Sequence, residues 1–344
     1  MELRFRNVFR WKSIGAWAAL LAAGAVSQPA FAQDLPTVKL QAFPDDPAAI
    51  PVLLIQERGI DTKNGFRAEL MIVDPDVAFQ TLLLGESDVA TEQDIVTVAV
   101  ARQEGHNTLA FYPVLHLATG IAVPADSPHK SAADLVGRPV GHFGIDSGTT
   151  TGIAAALAVS EGINVYKDFD LAQAGPSALP TMLSLGRVEA IFNFQPLLAQ
   201  AVAETDGSYI FNPYSFWVDH FDGFSPWLTN LVARKQWLLE NKEVAIGVRD
   251  AFAEAQANII DSNYEIMLEE PYASFLNLPS KEVLQEYVKY CQTVVPCFAD
   301  GWSEADRRKA QDYVALMQEQ GLLVEEVPEE PVAMELEDFF AQKQ

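Results

Sequence analysis

The stretch SAADLVGRPVGHFGIDSGTTTG, residues 131–152, contains the signals that decide the fold. Residues 140–143 predict a short strand, and the alanine-rich residues 150–160 predict a helix. The loop between them would place backbone N–H groups at the positive end of that helix, with the hydroxyls of Ser147 and Thr149 beside them. Two interpretations of this loop are open.

In the first interpretation, the loop binds an anion or a carbonyl oxygen at the start of the helix. In the second, Asp146 or Ser147 only caps the helix. The loop is not a P-loop, because no lysine follows the second glycine, and Ser147 does not lie in a GxSxG nucleophile elbow. Nucleotide binding and serine hydrolysis are therefore not indicated.

Strand and helix patterns alternate along the chain up to about residue 211. This alternation is typical of an α/β protein with mostly parallel sheets flanked by helices. Strands are predicted at residues 38–43 and 66–73, with a helix at 47–57. Beyond residue 234 the pattern is almost entirely helical. The acidic end, from residue 325 onward, predicts a loosely packed tail with a short helix near Phe339.

Two segments about a hundred residues apart resemble each other: TLLLGESDVA at residues 81–90 and MLSLGRVEAI at residues 182–191. In each, an apolar helix ends at a glycine suited to a left-handed C-cap, and a short strand follows. Each strand then runs into polar residues, at 91–94 and 193–196. Since open α/β sheets bind ligands at the carboxyl ends of their strands, the two polar loops would line one cleft if the two units face each other.

The first 32 residues have the layout of a secretory signal peptide. A basic flank precedes an apolar run at residues 14–26, which is too short to span a bilayer, and Ala30-Phe31-Ala32 follows as a cleavage site. We expect cleavage after Ala32 and export of a soluble protein without a membrane span. The formal charge of −24 argues against nucleic acid and anionic membranes as partners.

Signals of enzymatic or metal chemistry are weak. The five histidines show no metal-ligand spacing, and no cofactor motif is present. We therefore predict no enzyme, no metal site and no cofactor. Cys291 and Cys297 either form a small disulfide loop or are two buried thiols. Carboxylates lie in or near the predicted strand-end loops without a spacing that pairs them for acid–base work: Asp45, Asp46, Glu92, Asp94 and Asp146.

Aromatic residues cluster at residues 211–217 and again at residues 221–227. Such a cluster lines a pocket for an organic ligand or forms the hydrophobic seam between two lobes. The seam is the favoured interpretation, with Phe224 and Trp227 reaching the pocket.

Five segments, in this order, make the chain similar to the solute-binding proteins of bacterial ABC importers. Within that family it looks like the nitrate/sulfonate/taurine class, which also includes thiamine-precursor (pyrimidine) binders. The pattern SPHKSAADLVG before the strand at residue 140 is the most specific of them. The resemblance covers about residues 36–323, and its segments are residues 38–59, 82–90, 123–140, 185–196 and 230–243.

The resemblance implies a two-lobed, type II periplasmic-binding-protein fold with a two-strand hinge. Residues 1–32 would be the signal peptide and residues 324–344 an acidic tail. Lobe 1 would combine residues 33–120 with 222–323, and lobe 2 would be residues 121–221. Ligand would close the lobes in the periplasm, and the closed form would dock on an ABC permease and ATPase complex at the inner membrane.

The resemblance also implies ligand contacts on five loops, none of which contains arginine or lysine. The ligand-binding residues carried over are Phe43, Asp45, Gln93, Asp94, Ser147, Gly148, Thr149, Thr150, Asn193, Gln195, Phe224 and Trp227. We expect a small organic anion or zwitterion, sulfonate-, taurine- or carboxylate-like, held by N–H groups and hydroxyls. The alternatives are a flat thiamine-precursor heterocycle, or the same fold acting as a ligand sensor for a membrane receptor.

Overall fold

The computed structural model describes residues 35–145, 147–322 and 329–342. The predicted signal peptide and Asp146 lie outside these residues. Within them the chain forms ten strands: β1 (Thr37–Ala42), β2 (Arg67–Ile72), β3 (Val89–Gln93), β4 (Thr108–His116), β5 (Thr119–Val123), β6 (Pro139–His142), β7 (Asp170–Gln173), β8 (Ala190–Phe194), β9 (Ser208–Phe211) and β10 (Trp227–Arg234).

Helices flank these strands on both sides. The α-helices are α1 (Ile50–Glu57), α2 (Ile60–Lys63), α3 (Pro75–Leu84), α4 (Ile95–Gln103), α5 (Gly148–Glu161), α6 (Val165–Asp168), α7 (Leu179–Ser184), α8 (Leu197–Thr205), α9 (Pro213–His220), α10 (Lys235–Glu240), α11 (Lys242–Asp261), α12 (Tyr272–Phe275), α13 (Lys281–Thr293), α14 (Glu304–Glu319) and α15 (Leu336–Ala341). Short 3-10 turns add Pro47–Ala49, Ala132–Leu135, Pro176–Ala178 and Glu265–Leu268.

The strands form two five-stranded sheets with the same internal plan. The first has the order β2-β1-β3-β10-β4 and the second β7-β6-β8-β5-β9. In each sheet the first three strands are parallel and the fourth is antiparallel to both of its neighbours. The predicted α/β class is confirmed, and each sheet is mixed, with two parallel and two antiparallel pairings where mostly parallel sheets were expected.

The internal sequence repeat corresponds to this shared plan. Strands β3 and β8 are third in their sheets, and each follows a helix, α3 or α7, through a glycine with positive φ. Gly85 has φ 80° and Gly186 has φ 65°, backbone angles that glycine adopts without the steric cost of a Cβ. The carboxyl ends of β3 and β8 are therefore equivalent positions in the two sheets.

Two connections link the sheets. Only Leu117 and Ala118 separate β4 from β5, whereas α9 lies between β9 and β10. Because β10 returns to the first sheet and pairs with both β3 and β4, the first sheet is built from two separate parts of the chain. The two-strand hinge expected from the sequence would use these two connections.

Apolar helix faces cover the sheets. Helix α11 buries a stripe at i, i+3, i+4 and i+7 spacing, formed by Ala245, Val248 and Phe252 among others. It also passes close to the backbone that follows α2, since a Cβ on Gly247 would lie 2.2 Å from Asn64 O. The helix predicted from residue 235 onward is real but breaks at Asn241 into α10 and α11.

The expectation of a loosely packed tail is wrong for the described part of the carboxyl terminus. Val332, Leu336 and Phe339 are all buried, and the predicted short helix is α15. Ala333 forms a parallel bridge with Ala110 on the outer edge of β4. Covering an exposed sheet edge removes unpaired backbone groups, and this burial outweighs the acidic composition that suggested a solvated tail.

The two cysteines form a disulfide, Cys291–Cys297, and both are buried. The loop that it closes lies against the end of β4: His116 N donates to Cys297 O at 2.9 Å. Within the described ranges, no helix is both long and apolar enough to cross a bilayer.

Candidate functional site

The loop between β6 of the second sheet and α5 caps the start of that helix through Ser147. Ser147 Oγ accepts a hydrogen bond from Thr150 N at 3.2 Å and also lies 3.0 Å from Gly144 O. The side chains of Thr149 and Thr150 are buried. Ser147 therefore caps the helix, as in the second interpretation of this loop. Helix α5 begins at Gly148, two residues earlier than predicted.

Asp94 is also a helix cap, at the end of β3. Its Oδ1 accepts from Val96 N at 2.7 Å and from Thr97 N at 2.9 Å, and its Oδ2 accepts from the Thr97 hydroxyl at 2.9 Å. Burial raises the pKa of this carboxyl, whereas the three donors act in the opposite direction. The Asp94 side chain is thus held in one position by α4.

These two caps meet. A Cβ built on Gly148 would lie 2.8 Å from Asp94 Oδ2, which is closer than a side chain allows. Glycine is therefore needed at the start of α5 for the loop after β3 and the loop after β6 to approach this closely. The loops that meet here are those after β3 and β6, whereas the sequence predicted that the loops at residues 91–94 and 193–196 line one cleft.

A small cavity lies at this meeting point. Its volume is about 10 Å³, room for no more than one water molecule, so the loops must separate before an organic ligand enters. Three of the predicted site residues line it: Asp94, Gly148 and Trp227. The other lining residues are Ile95, Val96, Leu117, Thr151, Pro226, Leu228 and Tyr313.

Sequence reasoning missed Leu117, Thr151 and Tyr313 among these lining residues. Leu117 lies in the connection between the sheets, and Thr151 lies one turn along α5 from its cap. Thr151 belongs to the helix predicted at residues 150–160, so its position on α5 was predictable although it was not assigned to the site. No local signal marks Tyr313, because α14 reaches the cavity only through the tertiary fold.

The remaining predicted residues do not line this cavity. Gln93 Nε2 donates to Glu92 Oε1 at 3.1 Å, and Asp45 Oδ2 lies 3.4 Å from Asn277 Nδ2 at the surface. Phe43, two residues before Asp45, is partly buried. Their role in ligand binding stays a prediction.

The predicted amides of the second sheet are bound within their own surroundings. Asn193 Nδ2 donates to Pro176 O at 3.0 Å. Gln195 Oε1 accepts from Ala199 N at 3.1 Å, near the start of α8, and its Nε2 lies 3.2 Å from the Tyr209 hydroxyl. Each amide thus already orders its own loop.

The aromatic cluster is a seam with one edge at the cavity. Phe224 packs edge-on against Trp227 with ring centroids 5.1 Å apart, and Trp227 contacts Trp302 at the same distance. Trp217 and Tyr313 extend the cluster, with centroids 5.2 Å apart. Of the two residues expected to reach the pocket, Trp227 lines the cavity and Phe224 packs behind it.

The fold brings together two carboxyls that no sequence spacing paired. Asp46 follows β1 and Glu92 lies in the adjacent parallel strand β3, and the two charges repel each other. Glu92 Oε1 accepts from Gln41 Nε2 at 2.6 Å, and its Oε2 accepts from Thr91 N at 2.8 Å. Burial raises the pKa of Glu92 to about 7 and that of Asp46 to about 6.

This carboxyl pair predicts a pH dependence of stability. Between the ordinary pKa of glutamate and about 7, native Glu92 keeps a proton that the unfolded chain has lost, so the free energy of unfolding falls as pH rises. Glu92 alone contributes on the order of 3 kcal/mol between pH 5 and 8, and Asp46 adds to the same trend. Urea unfolding across this range measures it.

Two variants separate this effect from the general charge of the protein. Glu92→Gln should flatten the pH profile, whereas Glu69→Gln on the exposed face of β2 should leave it unchanged. A wild-type stability that rises from pH 5 to pH 8 would contradict the assignment.

Three of the five histidines make structural contacts. Burial lowers the pKa of His116 to about 4, so its imidazole is neutral. His142 Nδ1 accepts from Gly144 N at 3.3 Å and His129 pairs with Glu189. Across the described ranges no group of histidine, cysteine and carboxylate side chains is arranged to hold a metal ion.

Comparison with known proteins gives this architecture a family. A model of the NMT1-like family matches residues 48–265. The chain belongs to this family. A comparison with curated protein sequences finds no significant match.

Solved structures similar to this NMT1-like protein include periplasmic binding proteins. The periplasmic aliphatic sulphonate binding protein SsuA from Escherichia coli superposes with a TM-score of 0.66 at 17% identity, covering 85% of this chain and 95% of that one. The alkanesulfonate-binding protein SsuA from Xanthomonas axonopodis, bound to MOPS, gives 0.69 at 13% identity, covering 88% and 100%.

The periplasmic nitrate-binding protein NrtA from Synechocystis gives a TM-score of 0.61 at 15% identity, covering 85% of this chain and 83% of that one. At these identities the similarity establishes the fold: the NMT1-like chain has the fold of periplasmic binding proteins. The resemblance inferred from the sequence is confirmed at this level.

Proposed function

We propose that this NMT1-like protein is the substrate-binding component of an ABC importer, which captures a small organic ligand between its two sheets and delivers it to a permease. The supporting observation is the contact between Asp94 and Gly148, where strand-end loops of both sheets close over one small cavity. A cavity that closes to about 10 Å³ holds a ligand only if it opens and closes.

The lobes proposed from the sequence account for such a movement. Residues 33–120 with 222–323 would move against residues 121–221 about the two connections that link the sheets. The short connection at Leu117 and Ala118 leaves little slack, whereas the one through α9 is longer. Export to the periplasm and docking on a permease and ATPase complex belong to the same proposal, and NMT1-like membership with binding-protein neighbours supports them.

The proposed ligand is small and is held mainly by neutral groups. Among the ten residues that line the cavity, backbone and hydroxyl groups, an indole and one carboxylate supply the possible contacts. A sulfonate- or carboxylate-bearing zwitterion and a flat heterocycle are both compatible with this lining.

A ligand screen by thermal unfolding tests the proposal. Mature protein, residues 33–344, is unfolded with a panel of sulfonates, carboxylates, pyrimidines and amines. A true ligand at a hundredfold excess over its Kd should stabilise the protein by about 2.7 kcal/mol through mass action. Complete absence of stabilisation across all four classes would count against a binding function.

A further inference from the structure

The closed cavity is acidic. Asp94 is the one ionisable carboxylate among its lining residues, and none of those residues is basic. Oδ2 of Asp94 points at the start of α5, where it would lie 2.8 Å from a Cβ on Gly148. The start of a helix attracts negative charge through its unpaired N–H groups and its dipole. A carboxylate of the protein itself therefore stands where an anionic ligand would bind.

A second polar group lies at the cavity. Tyr313 is 4% exposed. The hydroxyl reaches the cavity wall, 3.9 Å from where a Cβ on Gly152 would lie. A phenol hydroxyl both donates and accepts hydrogen bonds, so it is able to bind a polar group of a ligand in the cavity.

Trp227 completes the surroundings of the carboxylate. Its indole lines the same cavity, and an indole face attracts a cation, more strongly when water is excluded. A carboxylate oxygen, a phenol hydroxyl and an aromatic ring are together suited to a protonated nitrogen. They are poorly suited to a sulfate-like or nitrate-like group, which Asp94 would repel in a water-poor site.

We propose that Asp94 selects the ligand by charge: the ligand presents a cationic nitrogen to Asp94 Oδ2 beside Trp227 and Tyr313, and anions that lack such a nitrogen are excluded. This inference rests on the proposed function, because it names the ligand class of the same site. Among the ligands considered above, it selects amine-bearing zwitterions and amino-substituted heterocycles over simple sulfonates, carboxylates and nitrate.

The first test uses sulfate and needs no knowledge of the ligand. Asp94→Asn keeps a good N-cap for α4 and removes the negative charge. Sulfate stabilises most proteins by exclusion from their surface, so unfolding is compared in sulfate and in chloride at equal ionic strength. Asp94→Asn should gain an additional, saturable stabilisation by sulfate, reflecting at least tenfold tighter binding than in the wild type.

Asp74→Asn is the matched control. Asp74 caps α3 in the same way, accepting from Asp76 N at 2.9 Å, but it is exposed and does not line the cavity. It should respond to sulfate as the wild type does. Equal sulfate responses in Asp94→Asn and Asp74→Asn would overturn the proposal.

The second test uses probe pairs that differ by an amine: taurine with ethanesulfonate, and β-alanine with propionate. The wild type should bind the amine-bearing member at least tenfold more tightly, and Asp94→Asn should lose this preference. Ethanesulfonate or propionate binding as tightly as its partner would overturn the charge selection while leaving the importer function intact. If neither pair binds, the sulfate comparison decides the inference and the broader screen decides the function.

Discussion

Replacing Phe339 by alanine should lower the free energy of unfolding by about 3–5 kcal/mol. Phe339 is fully buried in α15, and its ring lies 5.5 Å from that of Phe340. Together with Met334, whose N donates to Ala110 O at 3.0 Å, this segment covers the outer edge of β4. Truncation leaves a cavity there and loosens the cover of the edge. Urea unfolding followed by circular dichroism measures the loss.

Gln342→Ala provides the matched control in the same segment. Gln342 is exposed at the end of α15, so its truncation should change the free energy of unfolding by about 0.5 kcal/mol or less. If Phe339→Ala is as mild as Gln342→Ala, the carboxyl-terminal segment does not contribute to the core in solution.

Gly148→Val should hold the two sheets apart and weaken ligand binding. The expected loss of affinity is at least tenfold, which corresponds to about 1.4 kcal/mol of binding free energy. Gly148 is the first residue of α5, so the helix itself tolerates a side chain there. The obstacle is Asp94 Oδ2, 2.8 Å from the Cβ position and fixed by three hydrogen bonds. Small-angle X-ray scattering should show a more extended protein, and titration of any ligand found in the screen should show the loss.

Two further variants test whether the contact itself is responsible. Gly175→Val is the control, since no atom lies within 4 Å of its Cβ position and its φ of −61° suits any residue. Adding Asp94→Ser to Gly148→Val shortens the obstructing side chain, keeps a capping residue on α4 and should restore compactness. An unchanged scattering curve for Gly148→Val alone would show that closure does not require this approach.

Much of the architecture could be predicted from the sequence because its signals are local. The glycine C-caps at Gly85 and Gly186 and the strands that follow them led directly to β3 and β8, the equivalent strands of the two sheets. The helix after residue 147 was similarly predictable from its small residues. Such features depend on backbone geometry within a few residues of one another.

The site was only partly predictable because its contacts join distant segments. Nothing near Tyr313 indicates that α14 reaches the cavity, and the approach of Gly148 to Asp94 depends on how the two sheets meet. Asp94 was predicted from the sequence as a ligand contact, and its capping of α4 emerged only from the structure. The buried carboxyl pair of Asp46 and Glu92 needed the pairing of β1 with β3.

The Cys291–Cys297 disulfide lies next to the connection that lines the cavity, and whether it forms depends on the redox state of the compartment. Cys297 O accepts the N–H of His116, and His116 is the last residue of β4 before the two-residue connection that lines the cavity through Leu117. A chain that folds in a reducing compartment lacks the disulfide loop that contains the Cys297 carbonyl. Protein prepared without oxidation should therefore be compared for ligand response as well as for stability, because a cysteine of the disulfide binds the residue from which the connection between the two sheets starts.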